Sequence, residues 1–174
     1  FDGYLKASFA NLWRGMENRA GFSYQTRVYF PTDKTKRNAG MIGAWRNYFN
    51  FTNDVSSSIA VQLSVVPILH IYTEADSLAS APDEKANPLF ENRFVVSLSA
   101  HFTKELTLGL PLYFYLTKYR DDKPKAKLSG EWDPALDFEP ELIYTSDSHY
   151  YFGIAYRSDN ILKSDYAGTT ISDG

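Results

Sequence analysis

The 174-residue chain contains no cysteine, which excludes a disulfide framework, a thiolate metal site and a cysteine nucleophile. Glycine and proline are not enriched, at 10 and 8 residues, so collagen-like and low-complexity chains are excluded as well. No apolar run approaches the ~20 residues of a transmembrane helix. Nor is there an excess of positive charge. The formal net charge is −3, and a chain without a basic balance argues against nucleic acid as a partner. The chain opens neither on Met nor on a basic-then-apolar leader, and we expect a mature chain or a fragment of one. Aromatics, by contrast, are abundant: Phe, Trp and Tyr make up 16% of the residues, too many for a disordered segment. The length suits one domain over 1–174. A mean hydropathy of −0.36 fits a soluble protein, and equally a transmembrane barrel, whose alternating strands dilute apolar residues with polar ones.

Helical spacing is never sustained; the chain reads as a series of period-2 runs, the pattern of strands with two unlike faces. Over 106–117, Leu106, Leu108, Leu110, Leu112, Phe114 and Leu116 share one face, and Thr107, Gly109, Pro111, Tyr113, Tyr115 and Thr117 the other. Over 94–103, Phe94, Val96, Leu98, Ala100 and Phe102 alternate with Val95, Ser97, Ser99, His101 and Thr103. Further apolar faces are Phe22, Tyr24, Thr26, Val28 and Phe30; then Met41, Gly43, Trp45, Phe49 and Phe51, broken by Asn47. Ile59, Val61, Leu63, Val65, Leu69 and Ile71 follow, with Pro67 inside the run predicting a bulge, since proline cannot donate to the ladder. Leu136, Phe138, Leu142 and Tyr144, then Phe152, Ile154 and Tyr156, complete the series after a weaker first run over 5–13. These are eight strands, most near the ~9–11 residues of a tilted membrane-spanning strand.

The connections alternate too. Those at 52–54, 103–105 and 146–148 are short, 14–21 is intermediate, and 31–40, 74–92, 118–133 and 158 onward are long and polar. Consecutive antiparallel strands then put short turns at one end and long loops at the other. This pattern resembles the bacterial outer-membrane β-barrel class, which implies short periplasmic turns, longer extracellular loops and a lipid bilayer as the main partner. With eight strands both chain ends fall on the loop side, so we expect ten or more strands in the intact protein.

A soluble barrel or sandwich, its apolar face inside and binding an apolar ligand there, is the alternative. Three features favour the membrane. Lys6 is the only lysine inside an alternating run, whereas a water-facing strand surface normally carries several. Aromatics on the apolar face gather beside the short turns, where Trp13, Phe22, Phe51, Phe102, Tyr144 and Tyr150 fit an interfacial girdle. The opposite face carries Gln25, Gln62, Tyr48, Tyr113 and Tyr115 with charges of both signs, as a barrel lumen does. Arg27, Arg46 and Arg157 share that face with Asp137, Glu139 and Glu141, and we expect at least one Arg–carboxylate pair across the interior, because an unpaired charge there is costly.

Catalytic signals are thin. Asp147-Ser148-His149 has a D-x-H spacing that resembles the omptin outer-membrane proteases, in which an Asp–His pair activates water together with an acidic pair. Here it lies on a short turn, at the end opposite the omptin site, while Asp121-Asp122 lies at the other; a polar hairpin turn accounts for the same residues. No His-x-Ser, Gly-x-Ser-x-Gly or His-Glu-x-x-His is present. His70 and His101 share the lumen face but at opposite heights, so no metal site and no cofactor are expected. The mixed charges of 118–133 read as a solvated loop, with lipopolysaccharide or a protein as minor partners. The reading that results is an all-β, antiparallel up-and-down transmembrane β-barrel of the bacterial outer membrane, a scaffold or small passive pore rather than an enzyme. A barrel-borne hydrolase using Asp147 and His149 ranks third.

Overall fold

A computed structural model describes residues 3–17, 19–32, 34–38, 40–73, 86–121, 128–146, 150–158, 162–165 and 168–171. The strands are β1 (Gly3–Gly15), β2 (Ala20–Phe30), β3 (Met41–Asp54), β4 (Ile59–Tyr72), β5 (Pro88–His101), β6 (Leu106–Tyr119), β7 (Trp132–Phe138), β8 (Glu141–Thr145) and β9 (Tyr151–Ala155). β1 to β6 pair antiparallel in sequence order, β7 and β8 both pair with β6, and β9 pairs with β8, giving an up-and-down sheet of nine strands. Among the described residues the sheet is open rather than closed into a barrel. A five-residue helix, α1 (Lys34–Asn38), sits in the loop after β2, and β10 (Leu162–Asp165) and β11 (Gly168–Ile171) form a separate hairpin.

β7 and β8 are one strand in two pieces. Trp132 lies opposite Lys118 and Tyr144 opposite Leu106 in a single unbroken register. The interruption falls at Pro140, which has no N–H to donate. Eight strand paths result, and they correspond to the eight alternating runs of the sequence. Because every consecutive pair is antiparallel, the tight connections at 16–19, 55–58, 102–105 and 146–150 share one end of the sheet, and the loops beginning at 31, 73 and 120 share the other.

Register holds the two faces apart across the whole sheet. On one face, Leu5, Val28, Trp45 and Leu69 are directly opposite one another from strand to strand, as are Leu63, Val96, Leu112 and Phe138. This apolar face is the exposed one: among the described residues, most of the large hydrophobic side chains that are exposed lie upon it. Burial is concentrated on the opposite, polar face. Ile68 is fully buried there, with Ala44 and Val66, and Tyr29, Met41 and Tyr48 pack against them; Ser64 and Asp137 are buried too. A water-soluble sheet protein shows the reverse distribution.

The strands depart from the sequence reading in three places. Pro67 makes no bulge. It stands opposite Asn92 in an unshifted register with β5, and β3 keeps one register on either side of it. A strand proline loses one donor, toward one neighbour only, and the ladder to the other neighbour holds the frame. The bulge of β3 falls instead between Met41 and Gly43. It turns Met41 from the apolar face, where alternation puts it, onto the buried cluster of Ala44, Val66 and Ile68, and leaves Ile42 exposed. Finally, β6 runs further than its alternation, so Lys118 joins Lys6 as a lysine within the sheet.

Candidate functional site: the polar face

A line of directly opposed residues crosses the polar face from edge to edge: Lys6, Arg27, Arg46, Ile68, Glu91, Thr117 and Asp133. Cations fill the β1–β3 side and carboxylates the β5–β7 side, with the most buried residue between them. Like charges directly opposite each other destabilise a sheet. Tyrosines offset this here. The Arg27 guanidinium lies 4.7 Å from the Tyr48 ring centroid and 5.2 Å from that of Tyr4, and Arg46 lies 4.3 Å from that of Tyr29. Arg27 Nη1 also donates to Tyr29 Oη at 3.0 Å, and the Tyr29 and Tyr48 hydroxyls are 3.3 Å apart. Rings supply π-density to a cation without adding a countercharge. The Nε atoms of Arg27 and Arg46 are nevertheless buried with no hydrogen-bond partner.

A pocket of about 320 Å³ opens beside this line, lined from β3, β4, β5 and β6. Arg46 and Tyr48 stand on one side, Arg93, Tyr113 and Tyr115 on the other, and Val66, Ile68 and Val95 form apolar floor between them. Arg93 lies over the Tyr115 ring and its Nε donates to Glu91; Tyr113 and Tyr115 are stacked with centroids 6.3 Å apart. Toward the short-turn end the floor is a polar chain: Gln62 Nε2 donates to Ser64 Oγ at 3.0 Å, and Ser64 Oγ donates to Asn50 Oδ1 at 2.8 Å.

Carboxylates cluster on β7 and β8. Asp137 is opposite Tyr113, and Glu141 is opposite Gly109, whose missing Cβ leaves the space that the Glu141 side chain crosses. The β9 ladder extends past Ala155, with Tyr156 N donating to the Pro140 carbonyl and Ser158 bridging Phe138, which sets Arg157 opposite Glu139. Arg157 Nε is 2.9 Å from Glu139 Oε1, and Nη2 is 3.6 Å from Asp137 Oδ2. Thus one of the three arginines meets the carboxylates, and it does so from the adjacent strand rather than across an interior. Arg27 and Arg46 stack on tyrosines instead. Gln25 is opposite Tyr48 and accepts from Ser8 Oγ at 3.3 Å. Arg93 and Glu91 are as central as any residue singled out from the sequence, and their parity with Val95 already marked them for this face.

On the apolar face, Trp13, Phe22 and Phe51 are in register and Trp13 stacks on Phe51 at 6.4 Å, beside the short turns. Phe102, Tyr144 and Tyr150 are exposed at the same end. A second aromatic level, missed in the sequence though it has the same parity, lies at the loop end: Phe30 and Trp132. There Lys118 folds over the Trp132 ring and donates to the Gly130 carbonyl. Polar atoms on this face satisfy one another. Tyr24 Oη donates to Asn47 Oδ1, and Trp45 Nε1 to Thr26 Oγ1, each at 2.7 Å.

The histidines stay apart. His70 Nε2 is 3.8 Å from Glu91 Oε2, and His101 Nδ1 is 2.9 Å from Thr107 Oγ1. Asp147, Ser148, His149 and Asp122 lie outside the described residues. Among the described residues no group of three or more His, Asp or Glu could hold a metal ion. Compared with protein families, with curated proteins and with solved structures, the chain matches none.

Proposed function

We propose that the chain is the wall of a bacterial outer-membrane β-barrel, its apolar face against lipid and its polar face toward an aqueous interior, serving as a scaffold or small passive pore. The observation that carries this reading is the inverted burial: a continuous apolar face lies open while the polar face is packed. Exposing such a face to water is unfavourable at roughly 25 cal/mol per Å², and a patch of this extent marks a surface that meets lipid or a partner. The dimensions fit lipid. The ten steps from Leu106 to Leu116 span about 34 Å at ~3.4 Å each, hence about 26 Å of height at ~40° tilt, against a ~25 Å apolar band. Aromatics border that band at both ends, and the Tyr24–Asn47 and Trp45–Thr26 bonds leave these side-chain donors satisfied without water.

Lipid cannot solvate an open sheet edge, so in a membrane the outer edges of β1 and β9 would be paired, with each other or with further strands. The pocket on the polar face supports a wet interior rather than a solid plug.

The three tryptophans test the reading, because Trp13, Trp45 and Trp132 all lie on the apolar face, at 49%, 46% and 48% exposure. Reconstituted into vesicles, the protein should show blue-shifted tryptophan emission that brominated lipid quenches and iodide does not. A monodisperse protein in buffer without detergent, its tryptophans quenched by iodide, would overturn the proposal.

A further inference from the structure

We infer that the pocket on the polar face is a binding site for a small aromatic carboxylate. The inference rests on the polar face alone and goes beyond the membrane reading, since the lining of the pocket comes from β3, β4, β5 and β6 only. Two guanidinium groups border it, Arg46 from β3 and Arg93 from β5, with β4 between them. Strands two apart lie about 9–10 Å from each other, a gap that a benzene ring bearing one carboxylate bridges while both arginines reach the same group.

Each part of such a ligand finds a counterpart. Arg46 lines the pocket, and its Nε is buried without a hydrogen-bond partner, so the sheet itself does not satisfy all the N–H groups of this guanidinium. A carboxylate is the acceptor that matches a guanidinium edge, with two oxygens for paired N–H donors. Both guanidiniums are already held over rings, Arg46 on Tyr29 and Arg93 on Tyr115, so little side-chain freedom is lost on binding. Glu91 neutralises one of the two cations, and the remaining single charge selects a monoanion over a phosphate or a dicarboxylate. Val66, Ile68 and Val95 give the ring an apolar bed, and Tyr48, Tyr113 and Tyr115 give it aromatic walls. The Asn50–Ser64–Gln62 chain stands where a ring hydroxyl would end. At about 320 Å³ the pocket is at the small end of ligand sites, sized for one ring.

The full chain, folded in detergent, is titrated calorimetrically at fixed ionic strength with benzoate, 4-hydroxybenzoate, benzamide and cyclohexanecarboxylate. Benzoate and 4-hydroxybenzoate should saturate at one per chain, and benzamide, which keeps the ring and loses the charge, should bind at least tenfold more weakly. Cyclohexanecarboxylate should also be weaker than benzoate. Arg46→Gln should lower benzoate affinity at least tenfold, and Arg157→Gln, on the same face outside the pocket, should leave it unchanged. Absence of saturable benzoate binding overturns the inference, as does benzamide or cyclohexanecarboxylate binding as tightly as benzoate. An equal loss in Arg46→Gln and Arg157→Gln overturns it too, since that would report a diffuse field. Should Arg46→Gln not fold, the benzoate–benzamide comparison on the unaltered protein decides.

Discussion

Arg27 and Arg46 stand directly opposite each other on neighbouring strands, and each guanidinium lies over a tyrosine of the other's strand: Arg27 over Tyr48, Arg46 over Tyr29. The like-charged pair is thus interlocked through two rings. Tyr29→Leu removes the ring under Arg46 and the hydroxyl that accepts from Arg27, and should cost about 1–3 kcal/mol. Arg46→Gln added to Tyr29→Leu should recover part of that loss, because it relieves the repulsion the ring had offset. Urea unfolding of the two single variants and the double variant measures the coupling. Simple additivity would show the rings to be bystanders.

Leu110 lies opposite Leu98 near the middle of β6 on the apolar face. In lipid, Leu110→Arg should destabilise the protein by roughly 2–4 kcal/mol. Were this face in water, the change would stay within about 0.5 kcal/mol. Equilibrium unfolding from vesicles distinguishes the two.

The Arg157–Glu139 pair is short, with its arginine 61% exposed and its carboxylate 25%, and ion pairs that solvent reaches from one side contribute about 0–1 kcal/mol. Glu139→Gln should therefore leave stability within about 1 kcal/mol of the original. If the polar face lines a pore, the same change should shift ion selectivity away from cations, read as a displaced reversal potential across a planar bilayer. A large stability loss without any conductance would identify a plug.

Gly43 is a steric requirement. A Cβ there would lie 2.6 Å from the Tyr29 carbonyl oxygen, a backbone atom that cannot swing aside. Gly43→Ala should cost about 1–3 kcal/mol, as overpacking does, and a midpoint of urea unfolding unchanged from that of the original would contradict this reading.

Lys34, beside the long loops, and Lys104, in the β5–β6 turn, lie at opposite ends of the sheet. Cysteine placed at position 34 in intact cells should react with an impermeant maleimide, and cysteine at 104 only after the outer membrane is opened. Inverted labelling would reverse the orientation; equal labelling would remove the spanning topology.

Face assignment was legible in the sequence because side-chain period and register reinforce each other. The line through Leu63, Val96 and Leu112 needs only alternation and short turns to be foreseen. What alternation does not carry is the position of an extra residue, and so it puts Met41 on the wrong face and suggests a bulge at Pro67 that the strand does not make. The partners of Arg27 and Arg46 were hidden for a related reason. Stacking on a cross-strand tyrosine depends on which residue is opposite which, and nothing in the local sequence prefers Tyr48 to Asp137. The Arg157–Glu139 pair was foreseen in kind but not in place, since β9 continues its ladder around Pro140.

The irregularity in β1 keeps its two sides in the same reading frame. Phe9 is opposite Tyr24 and Trp13 opposite Phe22, so β1 holds two more residues than β2 over this stretch, with Asn11 at φ 56°. Two is one full repeat of the strand's alphabet, and Trp13 keeps the side that Phe9 has. The single extra residue in β3 acts as a frameshift, which is why it sits at the end of its strand, where only Met41 lies beyond it. Insertions and deletions in this sheet should thus be tolerated by parity rather than by size. Loss of Ala10 and Asn11 together should be milder than loss of Asn11 alone, which would send every residue from Leu5 to Phe9, or Trp13 beyond them, to the opposite side of the sheet.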